Sequence, residues 1–250
     1  MRAASDYRAE ARANLAGKWG RAVLVTLIYM AVAWLLGFVG GLIPFIGTII
    51  VYVVAIPLSY GMLASFIRLK RDNNFSYSSM FTDGINNFKN VWLVVFQTIL
   101  KLIAPIILMV VAIVVIIIGV VLISAAAASS SDASVALGIA GGFLAVIGYI
   151  MMAVASVWLY IKGLYYSLVY YILYDNPNMP AKEIVNLSES MMQGQRANYF
   201  VLQLSFIGWG ILAAFTCGIG YLFLAPYMQL ATIAFYEDKL NGPVNLDKNI

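Results

Sequence analysis

The sequence predicts an all-α integral membrane protein, a six-helix transmembrane bundle of three hairpins with short cytoplasmic amphipathic helices. Three observations carry that prediction. Of the 250 residues 63% are hydrophobic and only 10% charged, where a soluble domain carries roughly 25% charged residues. Apolar runs of about 20 residues, enough to cross a hydrocarbon core ~30 Å thick, recur along the chain. Between the runs the polar segments alternate in charge, basic and then neutral.

Residues 3–18 read as an amphipathic helix, with Tyr7, Ala11 and Leu15 on one face and Gly17 as its stop. The first span covers 20–39, and Gly40, Gly41 and Pro44 turn the chain into a second span over 46–66 that contains Pro57. Ala31-Val32-Ala33 matches a small-residue cleavage site, but a polar stretch precedes the apolar run and apolar sequence continues beyond it. An uncleaved first span is the expectation. Residues 67–90 are polar and hold a second amphipathic piece bearing Tyr77, Phe81, Ile85 and Phe88. The third span starts near Trp92 and stays apolar to Ile123, longer than a bilayer requires. After a small-residue loop from Ala125 to Ser134, a fourth helix runs from Val135 toward Tyr174. Asp175-Asn176-Pro177 and Pro180 break it, and a third amphipathic helix places Ile184, Leu187, Ser188 and Met191 on one face. The fifth span is 199–216, Cys217 to Gly220 turn the chain, and the sixth runs to Tyr236 before a polar tail.

Basic residues set the expected orientation. All of them except Lys101 and Lys162 precede or open the first span, follow the sixth, or lie between spans two and three or four and five. Short cytoplasmic loops collect Lys and Arg, so both termini are expected in the cytoplasm. Lys101 lies ~33 Å of helix from Ile123 and Lys162 ~40 Å from Val135 at the usual rise, which brings both to the cytoplasmic edge. They are expected to anchor there by snorkelling, with a buried functional site as the alternative. The same length implies that helices three and four project into the cytoplasm as a long hairpin.

One unit is expected three times, over 3–70, 75–175 and 180–240 of a single membrane domain: an amphipathic helix, a polar break with an aromatic, and a helical hairpin. Gly17-Lys18-Trp19, Asn87 to Trp92 and Gly194 to Tyr199 are the breaks. Pro57 and Phe66 recur at the same spacing as Pro226 and Phe235.

Few residues offer chemistry. With no histidine and one cysteine, Cys217, histidine-based triads are excluded and zinc, haem and iron–sulfur sites lack their usual ligands. No cofactor is expected. No acid lies within a predicted span, which disfavours a proton-coupled carrier, and no phosphate-binding GxxxxGK[ST] loop occurs. Gln97 and Gln203, just inside spans three and five, line a polar groove or hydrogen-bond between helices. Gly37/Gly41 and Gly138/Gly142 are GxxxG pairs that would pack helices closely. Asn74-Phe75-Ser76 and Asn186-Leu187-Ser188 match glycosylation acceptors, but on the cytoplasmic side. Trp19, Lys101, Lys162, Ile184, Leu187 and Met191 are candidate contacts with the membrane interface or a partner, forming a collar of amphipathic helices at the headgroups.

Arg8 to Leu24 (RAEARANLAGKWGRAVL), Tyr170 to Pro177 (YYILYDNP), and Ser205 to Tyr236 with SFIGWG and TCGIGYLFLAPY, together with the AFYED that closes this last stretch, resemble the bacterial integral-membrane family of the domain of unknown function 975. The resemblance covers nearly the whole chain and implies about six spans in the bacterial cytoplasmic membrane. It implies no catalytic residues. The expectation is therefore a non-enzymatic protein that binds lipid or another protein as an envelope or export accessory. A passive permease for a small apolar or amphiphilic solute is the alternative. Membrane lipids are the expected partners, with a second membrane protein or another copy of the chain as further candidates, and nucleic acid is not. A membrane enzyme would need its acids to converge, and Asp83, Asp175, Glu183, Glu189 and Glu237 are the available ones.

Overall fold

A computed structural model describes residues 2–43, 46–71, 77–128 and 133–240. Pro44, the Asn74-Phe75-Ser76 site, the middle of the Ala/Ser loop and the polar tail lie outside the described residues. Those described contain twelve helices and no strand. Five stretches are long and apolar enough to cross a membrane: Trp19–Gly41, Ile46–Arg71, Ile103–Ala128, Ala133–Asp175 and Arg196–Phe215. The chain separates into two compact units, Met1–Phe96 with Tyr165–Ile250, and Gln97–Leu164.

In the first unit, α1 (Ala4–Leu15) forms as expected. Asp6 accepts the Ala3 N–H at 2.9 Å, satisfying one of the free donors of the first turn. Tyr7, Ala11 and Leu15 are buried, and Gly17, in the left-handed conformation at φ 74°, ends the helix. α2 (Trp19–Gly41) and α3 (Ile46–Arg71) pack closely where Gly40 meets Gly47, a site at which a Cβ on either would overlap backbone or Val51. Gly37 and Gly41 face open space, so close approach uses the neighbouring glycine and not the expected pair. Pro57 has no N–H for the Val53 carbonyl. The Trp92 indole donates to that carbonyl at 3.4 Å from α5 (Phe88–Lys101), replacing the lost partner.

α4 (Ser79–Asn86) lies against α3 and buries Ser79, Met80 and Gly84. Its Tyr77, Phe81, Ile85 and Phe88 stripe points outward, Ile85 being 71% exposed. α8 (Val169–Asp175) and α9 (Ala181–Met192) pack together. α10 (Arg196–Leu204), α11 (Ile207–Phe215) and α12 (Tyr221–Leu240) complete the unit. The core is made of the C-terminal halves of α3, from Leu58 to Leu69, and of α12, from Leu224 to Tyr236. Tyr7, Tyr199 and Phe235 interlock there, with ring centroids 5.4 and 5.2 Å apart. The N-terminal half of α3 and the second half of α2 expose large apolar side chains. Thus the internally packed core sits at the charged end of the helices.

Three expected spans are interrupted. Span three is two helices, α5 and α6 (Ile103–Ala128), because Pro105 cannot donate to the Lys101 carbonyl and its ring crowds that group. The expected extra length is thus a separate helix. The fourth helix, α7 (Ala133–Tyr165), stops short of Tyr174, and Ser188 donates to the freed Tyr165 carbonyl at 2.7 Å. Span five breaks at Ser205 and Phe206 into α10 and α11. The sixth helix, α12, is not among the five membrane-length stretches. It is largely buried, and Glu237, Asp238 and Lys239 occupy its last turn.

The second unit pairs α6 with α7. Its buried positions are Pro105, Ala112 and Gly119 on one helix and Gly141, Gly148 and Ala155 on the other. All are seven residues apart, the spacing that keeps a seam facing its partner in a left-handed supercoil. A Cβ on Gly141 would come within 2.7 Å of the Gly119 oxygen, and one on Gly148 within 2.6 Å of Ile116. Gly142 meets nothing within 4 Å. Gly141→Leu is therefore expected to force the helices apart at a cost of about 1–3 kcal/mol or more, and Gly142→Leu to leave thermal stability in detergent nearly unchanged. Equal melting of the two variants would refute the seam.

Candidate functional site

The charged ends of α3 and α12 meet α1 and α8 in a chain of ion pairs. Arg2 binds Glu10 at 2.6 Å, Glu10 binds Lys70 at 2.7 Å, and Lys70 binds Glu237 at 2.6 Å. Glu237 also binds Arg71 at 2.9 Å, and Arg71 grips Asp175 with two bonds of 2.5 and 3.2 Å. Tyr236 donates to Asp175 at 2.9 Å and Tyr7 to Asp238 at 2.8 Å. The Lys70 side chain is only 8% exposed. Partial burial acts to raise the Glu10 carboxyl, but hydrogen bonds from Lys70 and Arg2 outweigh it and hold that carboxyl below its ordinary range. Burial and the Asp238 bond push the Tyr7 hydroxyl up.

Three of the five acids weighed for catalysis are paired with cations. Asp175 and Glu237 converge on Arg71, while Asp83 pairs with Arg68 at 2.7 Å. Glu183 lies in the first turn of α9. These bonds tie four helices together, and among the described residues they leave no shared acid pair around an open cavity.

A groove of about 370 Å³ opens on another face of the same unit. Its floor is Ala213, Leu224 and Tyr227, and its rims are Trp209 and Leu212 of α11 and Phe223 of α12. Trp209 is 54% exposed. Trp19 closes one end with its ring 6.3 Å from Phe223, and Arg12 lies beside it. Thr216 and Gly220 form the other end, where the Gly220 N–H donates to the Thr216 hydroxyl at 2.7 Å. A Cβ on Gly220 would stand 2.6 Å from Ala213 Cα, so α11 and α12 touch here. The lining is apolar save for its ends, and the volume lies within the range of small-molecule sites.

The model described as "Protein of unknown function (DUF975)" matches residues 1–241. The chain belongs to this family. No curated protein and no solved structure matches it. Its five apolar helical stretches make this DUF975 chain a multi-pass membrane protein.

Of the residues singled out from the sequence, Trp19 lies in the groove. Lys101 and Lys162 fall in the last turns of α5 and α7, where the helix dipole favours a cation. Gln97 and Gln203 are half-buried and make no side-chain hydrogen bond among the described residues, so the expected interhelical bonds are not formed. The collar expectation is corrected for α9. Ile184 and Met191 are buried within the protein and Leu187 is half-buried, because this apolar face packs inward with α8 beneath it. α1 buries its apolar face in the same way. Only the α4 stripe is exposed. Sequence reasoning missed Arg12, Trp209, Phe223 and Tyr227 as a group. They all lie in the Arg8–Leu24 and Ser205–Tyr236 stretches that carry the family resemblance.

Proposed function

We propose that this DUF975 protein is a non-enzymatic protein of the bacterial cytoplasmic membrane that binds a membrane lipid, as an accessory of the envelope or of export. The observation that carries this reading is the apolar groove between α11 and α12. It is open at its side, where the neighbouring exposed apolar surface would meet acyl chains, and Arg12 and Trp19 stand at the end where headgroups would lie. Arg and Trp side chains both favour that interfacial level. The groove runs along about two turns of each helix, ~11 Å, enough for part of one acyl chain. Commitment of Asp83, Asp175 and Glu237 to ion pairs supports binding over catalysis.

In this reading α12 is the sixth span, and both termini are cytoplasmic, as the distribution of basic residues supports. The charged cluster then lies at the cytoplasmic face. The α4 stripe of Phe81, Ile85 and Phe88, next to Lys89, rests on the inner leaflet. A repeat relating the first and third of the three expected units is supported by two left-handed glycines at corresponding breaks, Gly17 at φ 74° and Gly194 at φ 71°. It is also supported by the matching places of Pro57 with Phe66 and Pro226 with Phe235, all buried.

Native mass spectrometry after gentle extraction from the source membrane tests the proposal. The wild-type chain is expected to retain lipid in fixed stoichiometry. Leu212→Trp, which fills the groove from an exposed rim, is expected to lose most of it. A bare wild-type chain, or full retention by the filled variant, would sink the reading.

A further inference from the structure

We infer that the lipid is an anionic glycerophospholipid, its phosphate held between Arg8 and Arg12 of α1 and one acyl chain laid in the groove. This rests on the proposed lipid-binding role and goes beyond it by assigning the headgroup class and the residues that select it.

The two arginines are one helical turn apart, so their side chains start from neighbouring places on one face, ~5–6 Å between Cβ atoms. Arg12 lines the groove directly. Arg8 reaches the linker between α10 and α11, where its Nη1 donates to the Ser205 carbonyl at 3.4 Å. Ser205 is one turn before Trp209, so Arg8 is held one helical turn from a residue of the groove, although it does not itself line it. Neither arginine has a carboxylate partner among the described residues, although Glu10 lies between them in sequence. Glu10 is turned to the other side and engaged by Arg2 and Lys70. The Arg8 Nε is buried and has no hydrogen-bond partner. Such a donor is costly to leave unmade, and turning the half-buried Arg8 side chain outward would bring it to a phosphate oxygen. Elsewhere in this unit Arg68 and Arg71 are paired with acids, whereas Arg12 at the groove and Arg8 one turn before it hold none among the described residues.

Guanidinium groups match phosphate in planar, charge-assisted pairs. An apolar groove with one such group in its lining and a second one turn away fits an amphiphile with an anionic head and a hydrocarbon tail. A free phosphate would leave Trp209, Leu212 and Phe223 without an occupant. A zwitterionic phospholipid would fill the groove but add its own cation beside two arginines. The anionic leaflet surface would also enrich this class near the mouth.

The test uses the full-length protein exchanged into mixed vesicles of phosphatidylglycerol and phosphatidylcholine with identical acyl chains, in equal amounts. Bound lipid is then read by native mass spectrometry. Wild type is expected to retain phosphatidylglycerol ~10-fold or more over phosphatidylcholine. Arg8→Gln/Arg12→Gln is expected to keep a phospholipid but in nearly the input ratio. Arg8→Lys/Arg12→Lys, which restores charge without the planar fork, is expected to recover part of the preference. Arg12→Gln alone, at an exposed position, guards against misfolding of the double variant and should lower the preference severalfold. Retention by wild type in the input ratio, or a preference untouched by Arg12→Gln, would overturn the anionic assignment while leaving lipid binding intact. Wild type carrying no phospholipid, or Leu212→Trp carrying as much as wild type, would instead overturn the groove itself.

Discussion

Lys70→Ala is expected to destabilise the protein by on the order of 3–5 kcal/mol, the usual penalty for removing one partner of a buried ion pair. Lys70 stands between Glu10 and Glu237, at 2.7 and 2.6 Å, with its side chain 8% exposed. Without it two carboxylates remain close together with one cation fewer. The loss reaches α1, α3 and α12 at once, since Glu10 comes from the first and Glu237 from the last. Thermal unfolding in detergent measures the effect. A double-variant cycle separates the pair energy from simple truncation. Adding Glu237→Gln to a Lys70→Gln background should cost less than it does in wild type, because it removes a charge that has already lost one of its two cations and keeps only Arg71. A Lys70→Ala protein that melts with wild type would mean that water, rather than lysine, satisfies these acids.

Gly61→Ala should have a comparable effect by an unrelated mechanism. A Cβ at Gly61 would overlap the Met80 carbonyl oxygen and lie 3.2 Å from the Gly84 nitrogen. Both are backbone atoms, which cannot rotate away. One methyl group must therefore move α4 off α3, and with it Asp83 from Arg68. Overpacking in a close-packed interior costs typically 1–3 kcal/mol, and contact with rigid backbone places this site at or above the upper end. Gly84→Ala attacks the same interface from α4, with its Cβ 2.7 Å from the Pro57 oxygen. Gly37→Ala is the control. It meets nothing within 4 Å, and alanine is the better helix former by ~1 kcal/mol. Gly61→Ala melting at or above Gly37→Ala would contradict the close contact.

Much of this fold was legible from pattern. The buried face of α1 at Tyr7, Ala11 and Leu15, the stop at Gly17, and the helix boundaries at Gly41 and Cys217 follow from spacing and turn chemistry. Apolar content located the membrane stretches, but it could not show where they are cut. Pro105 could have warned of the break at Leu102. The break at Ser205 has no proline, and its carbonyl is satisfied by Arg8, nearly two hundred positions away in sequence. The same distance hid the site. Arg8, Arg12 and Trp19 come from one end of the chain, and Trp209, Phe223 and Tyr227 from the other. Hydropathy scores Trp209 and Phe223 only as lipid-facing residues. The α9 face went wrong for a related reason: an apolar stripe on a short helix looks the same whether it meets lipid or protein. The acids Asp175 and Glu237 were recognised singly, yet their meeting on Arg71 is a property of packing.

The seam between α6 and α7 has a consequence for how this part of the chain can change. Hydrocarbon solvates an apolar helix as well as another helix does, so adhesion there depends on fit. The fit is written as a count of seven. Adding one residue between Gly141 and Gly148 would turn everything beyond it by ~100° at 3.6 residues per turn, setting bulky side chains where the gaps should be. Within these two helices length itself carries information. Letters at the outward positions can be exchanged freely among apolar residues, but the distance between the small ones cannot.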